Sequence, residues 1–234
     1  MGGRPVQGRQ HTDPHYEQEL KALHLKILEM GGFVEKQIAR AVDALVRRDD
    51  ALATLTIEGD HTANRMDVEI DEFCIRLLAL HQPAARDLRL ITIGLKITTD
   101  LERIGDMAVN LCERTLELNR EPTLKPFIDI PKMAEVAQGM LRRSLDAFVR
   151  EDVALALDVC REDDTIDALN GQLFRELLSY MLEDPHTITR SIRLLFIAKY
   201  LERIADHATN IAEMVVFMVK GKSIRHLDKV PPSV

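Results

Sequence analysis

Tryptophan is absent from this chain of 234 residues, and aromatic residues make up only 4% of it. A core must therefore be built from Leu, Ile, Val, Met and Ala, a palette that favours helices over β-sandwiches or barrels. Cysteine is scarce too: Cys74, Cys112 and Cys160 form no CxxC pair. Each sits among apolar neighbours, which reads as buried free thiols in a reducing compartment rather than a disulfide framework. The longest strongly apolar run, Met214 to Val219, is far too short to span a bilayer. The first residues lack the apolar stretch of a secretory signal, so a soluble cytoplasmic protein is expected. A net charge of −7 argues against a surface built wholly for nucleic acid. No G-x-S-x-G, Walker A, GxGxxG or HExxH pattern occurs. Ser144, Ser179 and Ser191 lie in helical patterns without an evident base.

What the chain does contain, almost throughout, is helical periodicity. Leu90, Ile97, Ile104, Leu111 and Leu118 recur every seven residues, and Met66, Ile70, Phe73, Leu77 and Leu80 form a second stripe. Punctuation at Asp49, Pro83, Pro122 to Pro126, Pro131, Asp152 and Pro185 divides the pattern. Six helices are expected, over about 14–47, 50–80, 84–119, 131–150, 153–182 and 187–220.

The chain also repeats itself. Asp100 to Asn110 reads DLERIGDMAVN, and Tyr200 to Asn210 reads YLERIADHATN. Asp43 to Asp49 matches Asp146 to Asp152 at an offset of 103, which holds to Asp60 and Asp163. Gln82-Pro83 and Asp184-Pro185 are offset by 102, and the closing phrases by 100. Each half therefore has the order helix, helix, helix. The expected fold is all-α: two tandem, pseudo-symmetric three-helix bundles at 14–121 and 131–222. A linker covers 122–130, a disordered leader 1–13 and a C-terminal tail 223–234. Asp49 and Asp152 are expected to cap the second helix of each half.

Acidic residues recur at the matching points. With Ile104 at the centre of its helix's apolar face, Glu102 and Asp106 fall about 160° to either side. Glu202 and Asp206 stand likewise around Ile204. On the preceding helices, Asp60, Asn64, Asp67 and Asp71 run down one edge, against Asp163, Asp167, Asn170 and Phe174. If the pairs face each other, three or four oxygen-bearing side chains converge, a donor set for a hard or borderline cation. A face salt-bridged by Arg103 and Arg203, or an inherited surface pattern, explains the same residues. His207 points toward the apolar side, as Met107 does, and reads as a packing histidine. Glu58-x-x-His61 has the spacing of di-iron bundles, but the second half has no helical copy, which argues against that chemistry. Arg86 with Arg89, and Arg190 with Arg193, open the third helices. They are candidate anion sites or simply charged helix starts. Asn110 and Asn210 mark a polar helix edge. Lys220 to His226 forms a basic tail.

At these residues the chain resembles the PhoU family of bacterial phosphate-signalling proteins. Both L-E-R-I phrases, the stretch from Leu80 to Arg89, the acidic helix openings at Glu58 to Asp60 and Arg161 to Asp164, and the close at Val219 to His226 carry the likeness. It runs from about residue 14 to 227. The resemblance implies a duplicated three-helix bundle with surface metal at the acidic motifs, here Glu102 with Asp106 and Glu202 with Asp206. The flanking pairs are Asp60 with Asn64 and Asp163 with Asp167. Iron, zinc, magnesium and manganese are all compatible, and Asn64 leaves the first site less charged. The implied function is negative regulation of the phosphate-starvation regulon, without catalysis. Its implied partners are the ATPase subunit of the phosphate ABC transporter and the phosphate-sensing histidine kinase. A homodimer, peripheral to the membrane only through partners and with no nucleic-acid ligand, is expected. The alternative is a metal-dependent enzyme on an all-helical bundle.

Overall fold

The structure, a computed structural model, describes residues 14–224. The expected leader at 1–13 and the tail from residue 225 lie outside them. The helices are α1 (Pro14–Arg47), α2 (Asp50–Glu58), α3 (His61–His81), α4 (Ala85–Leu118), α5 (Asp129–Arg150), α6 (Val153–Glu183) and α7 (Ile188–Lys220). A short 3₁₀ turn, Pro185–Thr187, precedes α7. Among the described residues there is no strand.

The six expected rods are present, but the second is bent. The periodicity implied one helix over 50–80; α2 and α3 instead meet at Gly59 and Asp60. Both residues keep right-handed helical dihedrals, with φ −70° and −63°. The Asp60 N–H donates to the Ile57 carbonyl at 3.2 Å, so the turn tightens locally instead of unwinding.

The corner between the first two helices is the same in both halves. Arg48 and Glu151, 103 residues apart, adopt left-handed φ of 56° and 52°. The next N–H groups, of Asp49 and Asp152, reach back to the Ala44 and Ala147 carbonyls at 2.9 Å in each case. This is a Schellman-type close made without glycine. The same two aspartates then cap the following helix, as expected. Asp49 accepts from Leu52 N–H at 2.9 Å and Asp152 from Leu155 N–H at 3.0 Å.

Left-handed backbone at a non-glycine residue costs about 1–2 kcal/mol, and both side chains there make bonds to distant elements. The Arg48 guanidinium donates to the Asn119 and Glu121 carbonyls at 2.9 and 2.7 Å, closing the end of α4. Glu151 accepts from Arg86 at the start of α4.

Each half packs as a three-helix unit, with α2 and α3 as one bent rod, but the apolar interiors join. Helix α4 lies along α7 and α1 along α5, so the buried cluster is continuous from Tyr16 to Ile224. A small residue allows α1 to approach α5: a Cβ at Gly31 would stand 2.3 Å from Leu145 Cδ1. Cys74, Cys112 and Cys160 are buried free thiols, as expected, and burial pushes each up to about 12. Among the described residues no helix is long and apolar enough to cross a membrane.

Candidate metal centres and the family they belong to

The acidic residues occupy two corresponding seams. In the first half, Asp60 opens α3 beside α4, which carries Glu102 and Asp106. Asp60 accepts from Asn64 Nδ2 at 3.2 Å and from Gln37 Nε2 on α1 at 3.3 Å. Room for this comes from Gly105: a Cβ there would stand 3.3 Å from Gln37 Oε1 and 3.4 Å from Asp60 Oδ1. The second half has Ala205 and Met140 at the matching places. Gln37 is 2% exposed, and its Oε1 has no hydrogen-bond partner.

Glu102 and Asp106 are half-buried rather than fully on the outer face. Burial raises the pKa of both carboxyls above the ordinary range. Asp106, Asp67 and Asp60 add to the effect on Glu102, and Asp60 to that on Asp106. Asp67 is raised by burial and by Asp71. The seam therefore holds more negative charge than its own groups compensate.

The second seam, between α6 and α7, is as acidic but supplies some compensation. Burial and then Asp206 push Asp163 up to about 6, against the pull of a hydrogen bond from Thr209 Oγ1 at 3.2 Å. Asp167 and Asp206 are raised by burial first and by Glu202 next. Glu202 pairs with Lys199 at 2.6 Å and accepts from Asn170 Nδ2 at 2.7 Å. Gln37, Lys199 and Thr209 have no counterpart of the same type in the other half (Met140, Thr99 and Val109). Reading only what repeats therefore misses them.

Among the described residues no ion pair joins Arg103 or Arg203 to these carboxylates; both arginines are exposed. The salt-bridged reading of the faces is thus not realised. The Arg clusters, by contrast, are engaged within the chain. Arg86 meets Glu151, Arg89 donates to the Met218 carbonyl, and Arg193 bridges Glu117 and Glu121. Arg190 donates to the Pro122 carbonyl at 3.1 Å. The His61 ring bonds the Glu58 carbonyl, so the E-x-x-H spacing serves the α2–α3 bend. Ser144 and Ser179 donate to backbone carbonyls of their own helices.

Both seams offer oxygen donors only, which fits magnesium, manganese or iron; zinc sites more often use histidine and cysteine. Among the described residues no three His, Cys, Asp or Glu groups are gathered tightly enough to hold an ion with the side chains as they stand. They form facing pairs.

A duplicated helical bundle with a carboxylate seam in each copy defines the class of protein: an all-helical pseudo-dimer, two copies of one unit in a single chain. The PhoU domain family matches residues 27–115 and again 130–215. The phosphate-specific transport system accessory protein PhoU homolog of Pseudomonas putida is 42% identical over 218 residues, covering 93% of this chain and 85% of that protein. Its Escherichia coli relative, the phosphate-specific transport system accessory protein PhoU, is 37% identical over 217 residues, with 93% and 90% covered. The crystal structure of PhoU from Pseudomonas aeruginosa superposes with a TM-score of 0.85 at 42% identity, covering 88% of this chain and 100% of that one. The phosphate transport system regulatory protein PhoU of Streptococcus pneumoniae gives 0.83 at 29% identity, with 89% and 99% covered. The chain belongs to the PhoU family.

Proposed function

We propose that this protein is a cytoplasmic accessory regulator of phosphate transport that represses the phosphate-starvation regulon when phosphate is plentiful. The supporting observation is the likeness, over nine-tenths of the chain, to proteins named for accessory roles in phosphate-specific transport. In this reading it couples the ATPase subunit of the phosphate ABC transporter to the phosphate-sensing histidine kinase and restrains uptake. It works as a homodimer and acts by docking, not by catalysis.

The carboxylate seams serve as cation sites. Glu102 and Asp106 with Asp60 and Asn64 would hold one ion, and Glu202 and Asp206 with Asp163 and Asp167 another. A bound cation supplies positive charge where the seams lack it. Half-exposed carboxylates change rotamer within nanoseconds, so the facing pairs can close without any backbone change. The raised carboxyl pKa values support this reading, because a cation offsets the mutual repulsion that raises them. Bonds from Asn170 to Glu202 and from Thr209 to Asp163 already tie α6 to α7, and a cation would tie α3 to α4 in the same way.

The reading is tested in a strain lacking the gene, with alkaline phosphatase assayed in phosphate-rich medium. High activity is expected; unchanged repression contradicts the regulator. Metal analysis of the purified protein and of Glu102→Ala/Asp106→Ala and Glu202→Ala/Asp206→Ala tests the sites separately. Equal metal content in all three removes them.

A further inference from the structure

The two repeats differ most where the acidic series on α6 breaks off at Phe174. Next to it a groove of about 540 Å³ runs between α6 and α7, its walls formed by Gly171, Phe174, Ile192, Leu195 and Phe196. Phe174 is 50% exposed, Phe196 49% and Ile192 42%. Exposed apolar side chains scattered singly need no explanation, but a contiguous set lining a groove does. The apolar strip continues past the groove along both helices, through Leu178, Leu182 and Ile188, all exposed. From Ile188 to Lys199 it covers about 17 Å, or three helical turns.

In the first repeat the outer strip has exposed apolar counterparts in Ile75, Leu80 and Leu88, but the groove walls differ. Its matching residues are Val68, Asp71, Thr92 and Lys96, in place of Gly171, Phe174, Ile192 and Phe196. The same fold thus accommodates polar side chains at three of these places, so the bundle does not require the apolar set. Gly171 deepens the groove where the first repeat has a valine.

One end of the groove opens onto the second carboxylate seam, with Asp167, Lys199 and Glu202 at its rim. Three carboxylates, of Asp167, Glu202 and Asp206, share the ammonium of Lys199, which Glu202 already engages. The geometry points to a docking groove for an amphipathic helix of another protein, three turns long, with an apolar stripe and basic residues at the end that meets Asp167 and Asp206. A helix fits because parallel helical walls accept side chains spaced at i, i+3, i+4 and i+7. Basic residues fit because the rim of the metal-free seam has excess negative charge, which they offset in place of a cation. A symmetric contact with a second copy would bring two such acidic rims into one interface, so the homodimer of the regulatory reading uses another face. The inference deepens the regulatory reading by giving its docking step a surface.

The test uses the full chain, freed of metal by chelation, and a fluorescently labelled helical peptide of roughly 18 residues, with a leucine stripe and lysines at one end. A second probe carries glutamates in place of the lysines. Anisotropy should show the lysine probe binding and the glutamate probe at least about tenfold weaker. Grafting the first repeat's residues (Phe174→Asp, Ile192→Thr and Phe196→Lys) should weaken the lysine probe by a similar factor. Phe196→Lys alone serves the same comparison if the triple variant fails to fold. No binding of the lysine probe, equal binding of both probes, or equal binding to wild type and graft overturns the proposal. So does sedimentation showing that the graft merely dissociates a dimer that the probe leaves intact. In cells, loss of phosphate repression with the graft supports the groove. Normal repression with the graft overturns the groove as a regulatory surface and leaves the regulator standing. Unchanged repression in the gene-deleted strain sinks the regulator, while the groove is still judged by the binding assay.

Discussion

His207 Nδ1 lies 2.7 Å from Asp100 Oδ1, and the bond crosses from the second repeat to the first. Both side chains are about nine-tenths buried. The repeat does not duplicate the pair: the matching residues are Met107 and Tyr200. The imidazole Nδ1–H donates to the carboxylate and so satisfies a charge held inside the α4–α7 seam. Removing one partner strands the other. His207→Met is expected to destabilise the fold by about 3 kcal/mol, and Asp100→Ala/His207→Met by less than Asp100→Ala and His207→Met combined. A double-mutant cycle in urea checks this; additive losses contradict it.

The paired corners predict matched effects. Asp49→Ala and Asp152→Ala each remove a cap and should each cost about 1 kcal/mol. Asp→Ser at either position should recover most of that. Chemical denaturation of the four variants is sufficient, and a loss confined to one repeat contradicts equivalence of the corners.

Arg48 closes the carbonyl end of α4 from a left-handed backbone position. Arg48→Ala leaves those carbonyls to water and keeps the strain, so it should cost about 2 kcal/mol. Arg48→Gly relieves the backbone and should cost about 1 kcal/mol less than the alanine change. Equal stability of the two variants would show that the left-handed turn is unstrained.

Stability should depend on pH through Asp163, whose folded pKa of about 6 lies above its ordinary value of 3.8. The folded state therefore binds the proton more tightly than the unfolded state. Stability is lost as pH rises from about 4 to about 6 and is flat above. Asp163→Asn should stabilise the metal-free protein at pH 7, by about 1 kcal/mol after allowing for solvent screening, and have little effect at pH 4. Denaturation at both pH values decides it; a destabilised Asn variant at pH 7 reverses the sign and refutes the argument.

Much of this was legible in the chain because it is written twice. The order of helices, the two aspartate caps and the acidic positions on α4 and α7 all follow from periodicity and repetition. What was not legible lies where the halves differ or touch. Gly59 and Asp60 bend the second rod with ordinary helical dihedrals; the glycine marks the place, but a helix also accommodates a lone glycine unbroken, so the bend does not follow from it. Asp100 finds His207 across 107 residues, and neither has a repeat partner of its own kind. Gln37 reaches Asp60 from α1, where the second half has Met140. The close approach of α1 to α5 depends on Gly31, whose missing Cβ makes room for Leu145, and periodicity counts a glycine as weakly apolar at best. The groove is hidden for a related reason: in the sequence Phe174 merely ends a polar series, and only the fold sets it beside Ile192 and Phe196 of α7.

If the two carboxylate seams serve regulation, losing either should release repression. The direct measurement is alkaline phosphatase activity in phosphate-rich medium, in a strain lacking the gene and complemented with wild type, Glu102→Ala/Asp106→Ala or Glu202→Ala/Asp206→Ala. Wild type should restore repression, and each double variant, folded by circular dichroism, should leave the enzyme derepressed. Full repression with both variants would contradict the claim.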